Sequence, residues 1–476
     1  MPTSPNQKLG LAALTALVVG SMIGGGIFSL PQNVAKSASP GAVLIGWAIS
    51  GIGMLMLAFV FQSLSNRKPE LDAGVYAYAK AGFGDYIGFN SAWGYWLSSM
   101  LGNVSYFVLI FSALGYFFPV FGEGNTAIAF VCSSLLLWSL HFLILRGIKQ
   151  AAFINQITTV AKVVPIVLFI LIGLVAFDMD LFTADFWGHG HVDFDSVMSQ
   201  VRNMMLITVW VFIGIEGANL CSGHAKKRSD VGTATVIGFV SVMALLVLVN
   251  VLSMGMMNQA QLAGLPNPSM AYVLEHVVGH WGAVLIIAGL IVSLFGALLA
   301  WILLSAEIMF AAAQDHTMPR FLARESKADV PVNALWLSNA TVQVFLIVTL
   351  FAASTYTSLV YLAASMALLP YLFSAGYAVL LCLRGESYEG LLRERRKDLV
   401  IGAIALIYSL WLVYAGGMDH LLLSALLYTP GVVLFIMAKR ERGERVFSKA
   451  EGLIFAVLLA ATLGAGYGLY SGQLSL

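Results

Sequence analysis

Apolar runs long enough to cross a bilayer follow one another with little interruption from Leu11 to Tyr470. A transmembrane helix needs roughly 20 mostly apolar residues. Windows of that length predict thirteen spans, over residues 11–35, 41–64, 86–118, 126–144, 153–176, 202–222, 232–256, 281–313, 334–353, 357–383, 399–416, 419–438 and 451–470. A count of twelve differs only at the short 353–357 link or at the weak pair around Met418. Nothing between the runs reads as a soluble domain; the longest non-spanning stretch is about Asp178 to Gln200. The first run begins near residue 9 without a small-residue cleavage site followed by a soluble domain, so it predicts a span rather than a removable signal. Backbone polar groups in lipid must be satisfied within the segment. The predicted fold class is therefore an all-α membrane protein of 12–13 transmembrane helices.

Positive charge tests this map independently, because short cytoplasmic loops collect Lys and Arg. With the N-terminus inside, all but three of the 25 Lys and Arg residues fall in inside segments. The three are Lys36 and Arg202 outside and Lys162 within the fifth span. The outer loops hold acids such as Glu123, Asp178, Asp185, Asp193, Glu275 and Asp419. A negative mouth concentrates cations, although exclusion of positive charge from that side alone also leaves acids there.

Composition agrees. Of 476 residues, 59% are hydrophobic and 10% charged, whereas soluble domains carry about 25% charged residues. Net charge is +1, which gives no field for nucleic acid. Cys132, Cys221 and Cys382 each lie in an apolar run and form no Cys-x-x-Cys pair, so neither a disulfide framework nor a zinc site is expected. His276 and His280 are spaced i, i+4 but lack the Glu of a His-Glu-x-x-His motif; they read as a solvated loop pair. No nucleophile–base set or soluble output domain supports an enzyme or a sensor, and no cofactor or metal is expected.

Two spans carry signs of a break. The first contains Gly20-Ser21-Met22-Ile23-Gly24-Gly25-Gly26-Ile27-Phe28. Three consecutive glycines are poor helix formers, and open backbone at that depth is tolerated only inside protein or along a cavity. A break here creates a helix N-terminus near Gly24 to Ile27 that suits a carboxylate. The half-helix before it ends in carbonyls near Val18 to Ser21 that suit an ammonium. Gly20 and Gly24 also fit small-xxx-small helix packing. The sixth span carries Trp210-Val211-Phe212-Ile213-Gly214-Ile215-Glu216-Gly217. Two interrupted spans, five apart and opposite in direction, are the signature of an inverted five-helix repeat.

Ionisable groups deep in a membrane point to function by default. Glu216 follows the second break, where it fits a gating or proton-linked group or a carboxyl bonded to backbone. Lys162 fits a tether to the carbonyls of the first break or a transport role. Glu307 lies nearer a helix end. In the third span Tyr95, Ser99 and Asn103, at i, i+4 and i+8, share one face. Trp210 and Trp301 sit away from the span ends, where an aromatic face holds a guanidinium or ammonium by cation–π attraction or simply packs.

The first-span motif, with Pro31 after it, resembles that of the amino acid–polyamine–organocation superfamily. The Trp210–Gly217 motif resembles the sixth-span motif of its basic amino acid/polyamine antiporters. Gly74-Val75-Tyr76-Ala77-Tyr78-Ala79, Tyr95-Trp96-Leu97 with Asn103, and Ala311-Ala312-Ala313-Gln314-Asp315 through Pro319 match further. Within that family, Gln261 to Ala271 and a thirteenth span are similar to bacterial arginine/ornithine antiporters.

The resemblance implies a leucine-transporter-like core of 5+5 inverted repeats over residues 1–383, with discontinuous helices 1 and 6. Helices 1–5 would span about 11–176 and helices 6–10 about 202–383, leaving 384–476 peripheral. It implies a multi-pass protein of the bacterial inner membrane that works by alternating access and leaves a homodimer open. Its implied substrate-binding residues are Ser21, Met22, Gly24, Gly25, Gly26, Ser99, Asn103, Trp210, Ile213 and Trp301. The glycine backbone would take the carboxylate, carbonyls near Ser21 and Trp210 the α-ammonium, and the two tryptophans the cationic side chain. Tyr95 would help close the outer side, and Glu216 and Lys162 would serve gating or coupling. Arginine/agmatine relatives have Asn in place of Ser21, Ser in place of Gly25 and an apolar residue in place of Lys162. The expected activity is exchange of external arginine for internal ornithine. Proton-coupled arginine or lysine uptake, lysine/cadaverine exchange and arginine/agmatine exchange are the alternatives.

Overall fold

The computed structural model describes residues 10–71, 74–147, 151–188, 190, 192–216, 225–351 and 355–474. Their ordered elements are helices. The first predicted span is two helices, α1 (Leu11–Met22) and α2 (Gly26–Ala35), bent by 45° across the break. Then come α3 (Pro40–Arg67), the short α4 (Val75–Phe83), α5 (Asp85–Gly115), α6 (Ala127–Leu145) and α7 (Ala151–Ala176). The short α8 (Met179–Thr183) precedes α9 (Phe194–Phe212) and α10 (Arg228–Met256). Two more short helices, α11 (Gln259–Gly264) and α12 (Ser269–Val278), lead into α13 (His280–Gln314). The chain ends with α14 (Val332–Thr349), α15 (Thr355–Arg384), α16 (Leu392–Ala415), α17 (Gly417–Tyr428), α18 (Val432–Glu441) and α19 (Lys449–Tyr470).

Among the described residues ten helices are long and apolar enough to cross a membrane, taking α17 and α18 as one, and the bent α1–α2 pair makes eleven. Helices α7 and α9 occupy the fifth and sixth predicted positions, so each of the thirteen positions holds a helix. The predicted boundaries missed mainly where polar residues are helical. Helix α9 starts at Phe194, before the predicted residue 202, because the Asp193 side chain caps it by accepting from the Ser196 N–H at 3.1 Å. Helix α16 starts at Leu392, before residue 399. Its charged first turn is anchored by Arg395, whose guanidinium donates to the Cys382 and Leu383 carbonyls at 2.6 and 2.9 Å. Of the short 353–357 link, residues 353 and 354 lie outside those described and 355–357 form the first turn of α15.

Burial sets the order of the helices. Of the apolar window of α5, 94% is buried, against 11% of that of α19. Helix α5 therefore runs through the middle, packed against α13 and α15, while α19 lies on the rim. Helix α2 is buried along its whole length, enclosed by α10, α11 and α12. Helix α1 buries only Leu14, Val18 and Met22.

Candidate functional site

The site begins at the break between α1 and α2. The Ile23 and Gly24 N–H groups turn back onto the Val19 and Met22 carbonyls, which ends α1, and Gly25 is the N-cap of α2. The first N–H groups of a helix have no partner within it, so α2 presents open donors at its start. The end of α1 is closed by Lys162, which is buried in α7 and donates to the Gly20 carbonyl at 2.8 Å and the Ile23 carbonyl at 3.0 Å. A cation at a helix C-terminus is well placed electrostatically. The Gly20 carbonyl is among those expected to suit the substrate ammonium, and Lys162 already occupies it.

The glycines answer to packing. A Cβ on Gly24 would lie 2.3 Å from the Tyr106 hydroxyl, one on Gly25 2.7 Å from Leu109, and one on Gly26 2.8 Å from Val211 and 3.0 Å from the Trp210 Nε1. Their missing side chains let α5 and α9 close onto the break.

The second break follows α9, which ends at Phe212. Gly214 has φ +104° and lies against the Ser21 carbonyl, where a Cβ would sit at 2.8 Å. The Ser21 hydroxyl faces both the Val18 carbonyl (2.9 Å) and the Gly214 carbonyl (2.8 Å), and so joins the two breaks. Glu216 is buried. It accepts from the Tyr95 hydroxyl and from the Tyr371 hydroxyl of α15 at 3.0 Å. Gly217, with which the motif ends, lies outside the described residues, as does the chain on which a second half-helix would begin.

Between the breaks is a cavity with about 370 Å³ of empty volume. Met22, Gly24 and Gly26 form one wall, Ser99 and Asn103 another, and Trp210, Ile213 and Trp301 the rest of the expected set. The Asn103 amide is buried and both its polar atoms are unpaired. Ser99 donates its hydroxyl to the Trp96 carbonyl at 2.7 Å, leaving its lone pairs toward the cavity.

Three expectations need correction. Ser21 is not on the cavity wall, because its hydroxyl is spent between the two breaks. Gly25 is not on the wall either, because Leu109 and Leu294 cover it. Tyr95 lies one turn nearer the start of α5 than Ser99, at the same end as Glu216. In the orientation predicted from positive charge this is the cytoplasmic end, so the outer-side closure expected of Tyr95 becomes an inner-side one.

Ser98, Gly102, Tyr106 and Val211 also line the cavity. Gly102 lies beside Asn103 within the stripe and Tyr106 continues it by a turn, a signal available in the sequence. Ser98 is turned by its bond to the Ala363 carbonyl at 2.7 Å, and Val211 is apolar; neither carried a signal. The pair His276 and His280 forms no metal site among the described residues; the His280 Nδ1 lies 2.6 Å from the Tyr116 hydroxyl.

Comparison with known proteins places this geometry. The family described as amino acid permease matches residues 9–459. An arginine/ornithine antiporter of Pseudomonas aeruginosa is 67% identical over the whole of both chains. An L-lysine transport protein of Corynebacterium glutamicum is 44% identical over 99% of this chain and 97% of its own. An arginine/agmatine antiporter of Chlamydia pneumoniae is 40% identical over 97% of each. With a broken first helix, a buried cavity at the break and this likeness along its length, the chain belongs to the amino acid permease family of multi-pass membrane proteins.

Proposed function

We propose that this protein exchanges external arginine for internal ornithine by alternating access around the cavity between α1–α2, α5, α9 and α13. The observation that carries the reading is that one cavity joins the open N-terminus of α2 to two buried tryptophans, Trp210 and Trp301. A basic amino acid has matching ends. Its carboxylate suits the helix start, and its distal cation suits an indole face. Asn103, with its unpaired amide, lies on the wall between them. The likeness to an arginine/ornithine antiporter supports the same substrates. Both carry +1 at neutral pH, so one-for-one exchange is electroneutral and needs no ion gradient.

The transport core is residues 1–383, built as an inverted five-helix repeat, with residues 384–476 peripheral. The rim position of α19 supports this division. The protein lies in the bacterial inner membrane with its N-terminus cytoplasmic. Tyr95 and Tyr371, both bonded to Glu216, close the cytoplasmic side, and the buried α2 closes the outer side. Substrate binding across both breaks draws them together, so the loaded carrier switches faster than the empty one.

A second reading, proton-driven uptake of arginine or lysine, is favoured by the burial of Glu216 and Lys162 within the spans. Thermal unfolding of the purified protein separates substrate from non-substrate. Arginine and ornithine should each raise the midpoint, and Trp210→Leu should abolish the shift. Stabilisation by neutral amino acids alone would contradict the reading.

A further inference from the structure

Tyr106 is the one large polar side chain on the cavity wall that has no part in the scheme above. It is buried in α5, one turn beyond Asn103. Its ring lies 6.1 Å from that of Trp210. The ring fixes the hydroxyl over Gly24, the middle residue of the break, where a Cβ would lie 2.3 Å from the oxygen and 2.9 Å from Cζ. Its hydroxyl makes no hydrogen bond to a described residue and borders the cavity that Tyr106 helps to line. The arrangement therefore offers a free donor to a ligand group at that point.

Position determines which group. Gly24 stands immediately before Gly25, the N-cap of α2, so the hydroxyl borders the unpaired N–H groups that open this helix. Those donors and the positive end of the helix dipole select an anion. A phenolic O–H on the same spot adds a further donor. The anionic part of a basic amino acid is its α-carboxylate, whereas an amine made by its decarboxylation has none.

Resting on the proposed binding of basic amino acids, we infer that Tyr106 is a specificity-determining residue whose hydroxyl donates to the substrate's α-carboxylate and so favours amino acids over the corresponding amines. Glycine at position 24 belongs to the same device, because any side chain there displaces the hydroxyl.

The test is isothermal titration of purified Tyr106→Phe and unaltered protein with L-arginine, L-arginine methyl ester and agmatine. The ester keeps the α-ammonium and guanidinium and loses the charge of the carboxylate. Loss of one charge-assisted hydrogen bond should weaken arginine binding about tenfold or more. Ester and agmatine affinities should change less than about twofold. Gly24→Ala should reproduce the bias toward the uncharged-end ligands. Equal weakening of all three ligands by Tyr106→Phe, or none, overturns the inference while leaving basic amino acid binding intact. If the unaltered protein binds none of the three, the parent reading fails and this inference fails with it.

Discussion

The Lys162 ammonium lies 2.8 Å from the Gly20 carbonyl, joining the middle of α7 to the end of α1 across 142 positions of sequence. The same nitrogen reaches the Ile23 carbonyl. One side chain thus satisfies two backbone acceptors that the break would otherwise leave bare inside the membrane. That makes Lys162 a condition for the shape of the site.

Lys162→Met keeps an unbranched side chain one atom shorter and removes the cation. Each orphaned carbonyl costs about 1–3 kcal/mol, so the variant should melt several degrees lower and lose exchange with or without an imposed proton gradient. Thermal unfolding together with liposome flux checks this. Retained exchange combined with loss of gradient-driven uptake alone would instead make Lys162 a coupling group.

Glu216 joins α5 and α15 through Tyr95 and Tyr371. Glu216→Gln replaces one acceptor oxygen by a donor, so one phenol loses its partner. Exchange should slow about tenfold or more while arginine affinity changes little. Combined with Tyr95→Phe the loss should be less than additive, because both changes remove the same seal. Additive losses in flux would contradict a shared role.

Gly214 is a position where glycine is demanded by backbone shape. Its φ of +104° and the Ser21 carbonyl behind it leave no place for a side chain. Gly214→Ala should cost about 1–3 kcal/mol or more, read as a lower melting temperature. A neutral result would mean that the breaks are not held against each other.

Much of this was legible in the sequence because lipid makes simple demands. Long apolar runs located the helices, and three adjacent glycines marked the first break. The Tyr95, Ser99 and Asn103 spacing pointed to the face of α5 that meets the cavity. What could not be read were matters of tertiary contact. Ser21 and Gly25 sit in a motif like their neighbours, yet one bridges two breaks and the other is covered by Leu109 and Leu294. Lys162 fits both a tether and a transport group, and that its nitrogen lies on the Gly20 and Ile23 carbonyls is a tertiary contact no spacing shows. Polar helical turns, as at the starts of α9 and α16, leave no hydropathy signal because capping and side-chain bonds set them.

Trp210, in the last turn of α9 before the second break, sets its indole Nε1 against Gly26 of the first break and its outer ring carbon against Gly102 of α5. A desolvated cation–π contact is worth up to about 2 kcal/mol, so Trp210→Leu should weaken arginine binding by an order of magnitude or more. Trp301→Leu should do the same without disturbing the break. Unchanged affinity in both would remove the tryptophans from the site.

Counterflow in liposomes separates exchange from symport. Vesicles carrying the purified protein are loaded with ornithine, offered labelled arginine outside, and compared with empty vesicles under an imposed proton gradient. An exchanger gives rapid uptake only with internal ornithine, lost in Trp210→Leu. Uptake into empty vesicles driven by the proton gradient would contradict exchange and make this protein a symporter.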